Sequence, residues 1–230
     1  VKLRIQEFGN GRPQWVALFR LVKRGYEMYL PADFEQTDAT QIAALILAAP
    51  LATLVSHAGD ALRADHIPLI MTKTKLIGHI AHANDLHRKL EDGAAVLAIF
   101  SGANAYITPN SYPSKADTHE VVPTWNYEVA HVHGTIMFHH DRKAKLGAVG
   151  LLTKMMETRT NGGDAWRMSD APADYLNDKL DGIVGFEILI MQVLAKSKLS
   201  QNKSDADRLG AAHTLGDHPI AGRMQNLHSK

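Results

Sequence analysis

Apolar and polar residues alternate in a small number of clear registers along this chain. From Thr37 the pattern is helical: Ile42, Leu45, Ile46 and Ala49 recur at helical spacing, Asp38 can cap the start, and Pro50 stops it. Leu51 to Ser56 then reads as a strand, and His57-Ala58-Gly59-Asp60 as the turn of a hairpin with Leu62 to Met71. Pro68 confines that second strand to an edge or a bulge, because proline has no N–H for the ladder. Leu76 to Ala83 is a third strand, and Asn84 to Leu90 one or two helical turns ended by Gly93. Ala94 to Phe100 and Tyr106 to Thr108 give two strands or one long bent strand, and Trp125 to His140 gives another. Asp141 caps a helix over Arg142 to Thr158, Pro172 opens a shorter one, and Gly182 to Ala195 is a long apolar strand. Lys196 to Ser204 reads as a polar exit, Asp205 to His213 as a helix, and the tail after Gly216 as frayed.

Five to seven strands, mostly hairpin-linked, with helices at the ends predict a mainly β fold with peripheral helices (α+β), built around a β-barrel. Strand–helix alternation does not recur, which argues against a doubly wound sheet, and no repeat period is present. Residues 1–27 show no clean period and no signal-peptide cleavage site, whereas Met28 opens MYLPADFE like a natural start. The first 27 residues are therefore either upstream sequence or one extra strand and helix.

Composition narrows the function classes. At 230 residues, with 45% hydrophobic and 21% charged residues, the chain can bury a sizeable core. A net charge of +1 supplies no footprint for nucleic acid. Zero cysteines remove disulfides, thiolate metal sites, iron–sulfur clusters and a thiol nucleophile, and fit a reducing compartment. No apolar run reaches the roughly 20 residues that span a bilayer, so a soluble, cytoplasmic protein is expected. The Gly-rich nucleotide loops and the GxSxG elbow are missing. The basic run Arg142, Lys143, Lys145 reads as a solvated helix face.

Candidate chemistry gathers between Ala94 and Gly134. Tyr106, Thr108, Ser111, Tyr112, Ser114 and Lys115 form one polar–aromatic packet; Thr124, Trp125, Asn126 and Tyr127 form a second. Aromatic faces beside hydroxyls, an amide and an ammonium suit a flat heterocycle with a phosphate or polyol tail. The competing reading is a strand pair whose aromatics close the edge of the core. Among thirteen histidines, His131 and His133 share one face of a strand, and neutral imidazoles there could ligate a metal or haem iron. No metal-ligand spacing such as HExxH accompanies them, so no metal site is predicted.

Six ordered blocks carry a family resemblance: MYLPADFE, ADHIPLIM, GHIAHAN, FSGANAYITPNSYPSK, VPTWNYEVAHVHG and KLSQNKSDADR. Together they resemble the PaiB-type FMN-binding negative transcriptional regulators, related in fold to the pyridoxamine 5'-phosphate oxidase-like split barrel. The resemblance spans Met28 to Leu209 and implies an FMN-binding split β-barrel, residues 28–200, followed by a C-terminal helix and tail, 201–230. It implies a homodimer with flavin at the subunit interface. It places the flavin ring against Asp65, His66, Ile67, Pro68 and Leu69, and the ribityl phosphate near His79, His82 and Asn84. Tyr106, Ser111, Tyr112 and Lys115 would complete the pocket, with Trp125, Asn126 and Tyr127 reaching it from the partner. The family pattern has arginine where this chain has His82, and an aromatic ring or proline near Asp85 and Leu86. Any chemistry would be that of a flavin-dependent oxidoreductase, with no catalytic base assigned. Haem binding or degradation is the alternative cofactor reading, since related split barrels include haem-degrading proteins. A cofactor-free regulator contacting DNA is the third, although no recognition helix stands out.

Overall fold

A computed structural model describes residues 28–227; the first 27 residues, and with them the question of an extra strand and helix, lie outside the described part. Seven strands form one antiparallel sheet: β1 (Leu51–Ala58), β2 (Ala61–Pro68), β3 (Ile70–Met71), β4 (Lys75–Ala81), β5 (Ala95–Ile107), β6 (Thr124–His139) and β7 (Ile183–Lys198). Their order is β2-β1-β5-β6-β7-β4-β3. β2 and β3 are two halves of one chain path: β2 pairs with β1, β3 with β4, so the path closes the sheet into a split barrel. The switch sits at Pro68. Having no N–H, proline tolerates the end of a ladder, and the next amide, Leu69, leaves the sheet to donate to the Pro50 carbonyl at 2.9 Å.

Alternation decides what fills the barrel. Leu54, Leu76, Phe100, Ile136, Phe186 and Ile188 are fully buried inside. Gly78 makes room for two of their neighbours: a Cβ there would sit 2.6 Å from Leu69 and 2.8 Å from the Phe186 ring. Helix α1 (Ala39–Ala48) adds Ile42, Leu45 and Ile46 to this core, and its start is capped as the sequence predicts, Asp38 accepting from the amides of Thr40 and Gln41 at 2.7 and 3.2 Å. α2 (Leu86–Lys89) is a single turn after β4, and α3 (Lys115–Thr118) another in the β5–β6 connection.

The long helix α4 (Arg142–Asn161) packs on β4, β7 and α5 (Ala173–Asp181) but buries only Lys145 and Ala148. Its basic residues serve the fold: Arg142 bonds Asn177 at 2.7 Å, and Arg159 bonds the Leu47 carbonyl at the end of α1 at 3.1 Å. No helix among the described residues is long and apolar enough to cross a membrane.

Two sequence expectations need correction at the C-terminus. β7 does not end at Ala195; it runs to Lys198, with Lys196 and Ser197 buried, because β6 continues to pair with it there. The tail after Gly216 is not frayed. α6 (Asp205–Leu215) is followed by α7 (Pro219–Gln225), which starts with proline in its first turn and His218 as a capping acceptor. Ile220, Ala221 and Met224 of α7 join Ala105, Ile107, Tyr112, Leu199, Ala211 and Ala212 in a second apolar cluster outside the barrel.

Candidate functional site

One concentration of charge lies where β2 meets the turn between β4 and α2. Arg63 and Asp65, two residues apart, share a face of β2 and form a fork, Nε to Oδ2 at 2.7 Å and Nη2 to Oδ1 at 3.0 Å. The Asn84 side chain links them to the turn: its Oδ1 accepts from Arg63 at 2.8 Å and from the Leu86 amide at 2.9 Å, while its Nδ2 donates to Asp65 at 3.1 Å. Asp85 accepts from Arg63 and from Lys89, the latter at 2.8 Å. The Arg63 bond holds the Asp65 carboxyl below its usual range; Lys89 and then Arg63 do the same for Asp85. Beside this network Arg88 and the His87 ring both reach the His82 carbonyl. The rings of His82, His87 and His140 form a chain with centroids 5.2 and 5.6 Å apart. Three permanent cations therefore stand against two carboxylates, with three imidazoles alongside.

The second concentration is aromatic and sits at the opposite end of β6. Trp125 and Tyr106 are exposed and pair edge to face at 6.1 Å. Tyr127 faces a cleft of about 570 Å³ that Tyr29, Asn104, His131 and Lys196 also line. The β5 register shifts between Ser101 and Asn104, and this bulge opens the cleft wall. Further along the same outer face, His131 and His133 are held as neighbours with rings 6.4 Å apart, and burial pushes both imidazoles toward the neutral form.

Comparison with known proteins settles the lineage. The family described as "Putative FMN-binding domain" matches residues 28–192. A relative in Bacillus subtilis (strain 168), "Protease synthase and sporulation protein PAI 2", is 30% identical over 207 residues, 87% of this chain and 96% of that protein. The chain belongs to the PaiB-type FMN-binding family. An uncharacterized protein of Emericella nidulans is 28% identical over 222 residues, 80% of this chain and 88% of its own length. Among solved structures, the FAD and heme binding protein from Mycobacterium smegmatis superposes with a TM-score of 0.55 at 16% identity, covering 71% of this chain and 73% of that one. The flavocytochrome Anf3 from Azotobacter vinelandii gives 0.54 at 12% identity, covering 71% and 68%. Both share the split-barrel fold.

In this PaiB-type chain the residues singled out from sequence do not form one pocket within a protomer. Asp65 and Asn84 meet directly, and His82 lies on the same turn. His66 is exposed and Pro68 half-buried, but Ile67 and Leu69 point into the barrel core. His79 pairs with Gly185, which lies against the Lys145 backbone of α4; burial lowers its pKa and its Nδ1 has no hydrogen-bond partner. Tyr106, Trp125 and Tyr127 are open to ligand. Asn126 is not: it is wholly buried, donating to Ser200 at 2.9 Å beneath Met224 of α7. Ser111 and Tyr112 are buried too, in the seat of α6, where Ser114 donates to Asp207 at 2.8 Å through its hydroxyl. Lys115 folds back onto Asn110. Asn126, Ser111 and Tyr112 are thus packed beneath α6 and α7 at the edge of the second apolar cluster, whereas Lys115 stays at the surface. Sequence reasoning missed Arg63, Arg88 and Lys89; the signal available was Arg63 two residues before Asp65 on a strand, facing a turn already marked by Asn84.

Proposed function

We propose that this chain is an FMN-carrying split-barrel protein that works as a homodimer, each flavin being held by two protomers. The observation that carries the reading is the separation of the two half-sites. β-Pairing sets Arg63 opposite Ser56, Ser56 opposite Val96, and Val96 opposite Gly134. Trp125 lies nine residues back along β6, about 30 Å at a strand's rise per residue. One protomer cannot bring its cationic turn and its aromatic packet to one ligand; two can.

The donor chemistry fits FMN. A phosphate dianion suits Arg88, Lys89 and Arg63, with Asn84 keeping Arg63 in place. The isoalloxazine suits the β2 edge from Asp65 to Leu69, closed by the partner's Trp125. Bound FMN supplies the electron-transfer chemistry, while the protein contributes orientation and electrostatics. The outer sheet face supplies an apolar surface for pairing: Leu189 and Met191 are exposed there in the isolated chain, and Leu97, Ile99 and Leu194 are partly exposed. Negative control of transcription is read as acting in the cytoplasm through this flavin site. Arg142 and Arg159 are tied into the fold, which disfavours a direct DNA interface.

A haem reading has one observation in its favour, the pair His131 and His133, which burial keeps neutral as iron ligation requires. An absorbance spectrum of the purified protein, taken before and after excess FMN and desalting, separates the two. About one flavin per chain is expected, with at least tenfold weaker retention in a joint Arg88→Ala, Lys89→Ala variant. No retained flavin, with a Soret band on adding hemin, moves the assignment to haem.

A further inference from the structure

We infer that the cleft beside Lys196 is a second binding site in each chain, for a flat aromatic molecule bearing a negative charge, with Lys196 as its counter-ion. Lys196 is only 6% exposed, yet among the described residues its ammonium has no carboxylate partner. It donates to the Tyr29 carbonyl at 3.1 Å and otherwise faces two rings, Tyr29 at 5.1 Å and Tyr127 at 5.4 Å. Ring faces attract a cation but do not neutralise it, and a buried unpaired charge is costly.

The surroundings deepen the imbalance. Lys198 stands next along the strand on the same side, donating to the Trp125 carbonyl at 2.6 Å. Its own pKa is lowered by burial and then by the charges of Lys196 and Lys203. Glu35 bridges Lys196 through the backbone but is exposed and borders the separate cleft lined by Gln41 and Arg223, while Glu128 turns to the other face of the sheet and is taken by Arg223 at 2.8 Å and Ser197 at 3.1 Å. An anion entering the cleft meets the Lys196 ammonium, and the one carboxylate residue bordering it among the described residues, Glu128, is already committed to Arg223 and Ser197. The walls select its shape: Tyr127 and Tyr29 offer ring faces beside Lys196 around about 570 Å³, room for a small planar molecule. On the flavin reading above this cleft is where a substrate lies, and the substrate class is an aromatic carboxylate or comparable anion; the binding itself does not depend on that reading.

Equilibrium dialysis with 4-nitrobenzoate, and with its neutral isostere 4-nitrobenzamide, tests the inference on FMN-free and FMN-loaded full-length protein. The acid is expected to bind at one per chain in both forms, at least tenfold tighter than the amide. Lys196→Met should erase that preference and Lys196→Arg should keep it, while circular dichroism confirms that both variants fold. Equal binding of acid and amide, or an unchanged preference in Lys196→Met, overturns the site. Displacement of 4-nitrobenzoate by FMN in equal amounts also overturns it, since the cleft would then seat the flavin ring. Flavin retention is read on the same samples. A chain that binds the acid but never retains FMN supports this site and sinks the flavin assignment instead.

Discussion

At the scale of single residues, the charged turn is both a candidate phosphate seat and a stabilising clamp, and the two roles respond differently to pH. Asp65 has a folded pKa below its unfolded value because of Arg63. Its contribution to stability is therefore full above the ordinary carboxylate range near ~4 and is lost as pH falls through the lowered folded value. Arg63→Gln removes that contribution. It should lower stability to denaturant at pH 7 and move the acid-unfolding midpoint to higher pH; identical denaturation curves at pH 7 and pH 3.5 would show that Arg63 does not hold the turn. His131 and His133 act at milder pH. Both are depressed below 6.5, mainly by burial, so the folded state binds fewer protons than the unfolded one as pH drops. Stability should decline below about pH 6.5, and His131→Gln should flatten the decline between pH 7.5 and 5.5 in urea melts. The His131–His133 pair was legible from its spacing on a strand, and Asp65 and Asn84 through the family resemblance of the blocks that contain them. The sequence hid Arg63, whose role depends on a strand and a turn some twenty residues apart coming together, and Lys89, whose pairing with Asp85 four residues earlier matters only once Arg63 is there. Lys196 was hidden for a different reason: a Lys-Ser-Lys run looks like exposed chain until β6 is seen to pair with it.

Among the elements, those with their own start and stop signals were legible and those shaped by neighbours were not. α1 announces itself through Asp38, its apolar spacing and Pro50. β7 continues past Ala195 because Val129, Glu128 and Tyr127 on β6 extend the ladder, and no property of Lys196 or Ser197 alone indicates it. α7 carries a legible start in His218-Pro219, but its seven residues are too few to be stable in isolation; they hold because Ile220 and Met224 cover the second apolar cluster. That makes a quantitative expectation. Met224→Ala should lose about 2–5 kcal/mol, the usual range for deleting a large buried side chain. The loss should appear as a lower urea midpoint with no change in slope. A change under about 0.5 kcal/mol, the level of a surface substitution, would mean that α7 is dispensable. Gly78 offers a test of the barrel itself: Gly78→Val has no room between Leu69 and Phe186, and overpacking of this kind costs about 1–3 kcal/mol.

For the whole molecule, the decisive property is that its two ligand-suited regions sit too far apart on one sheet. Pairing rows across the outer face run Thr53–Ile99–His131–Leu194 and Val55–Leu97–His133–Gln192, so the centre of that face is largely apolar and carries the two neutral imidazoles. Toward its edge Met137, Leu189 and Met191 are 45–47% exposed, more apolar surface than a solitary barrel gains from displaying. Covering this face with a second copy would bury it and bring each cationic turn within reach of the other chain's aromatic packet. On the proposed reading, dimerisation and flavin retention are one property. Leu189→Asp combined with Met191→Asp places two carboxylates on the face while leaving the barrel interior untouched. The variant should elute as a folded monomer by light-scattering chromatography and should lose FMN on desalting together with its dimer. A monomer that keeps one flavin per chain would place the whole site within a single protomer, and a variant that stays dimeric and flavin-bound would put the interface on another face.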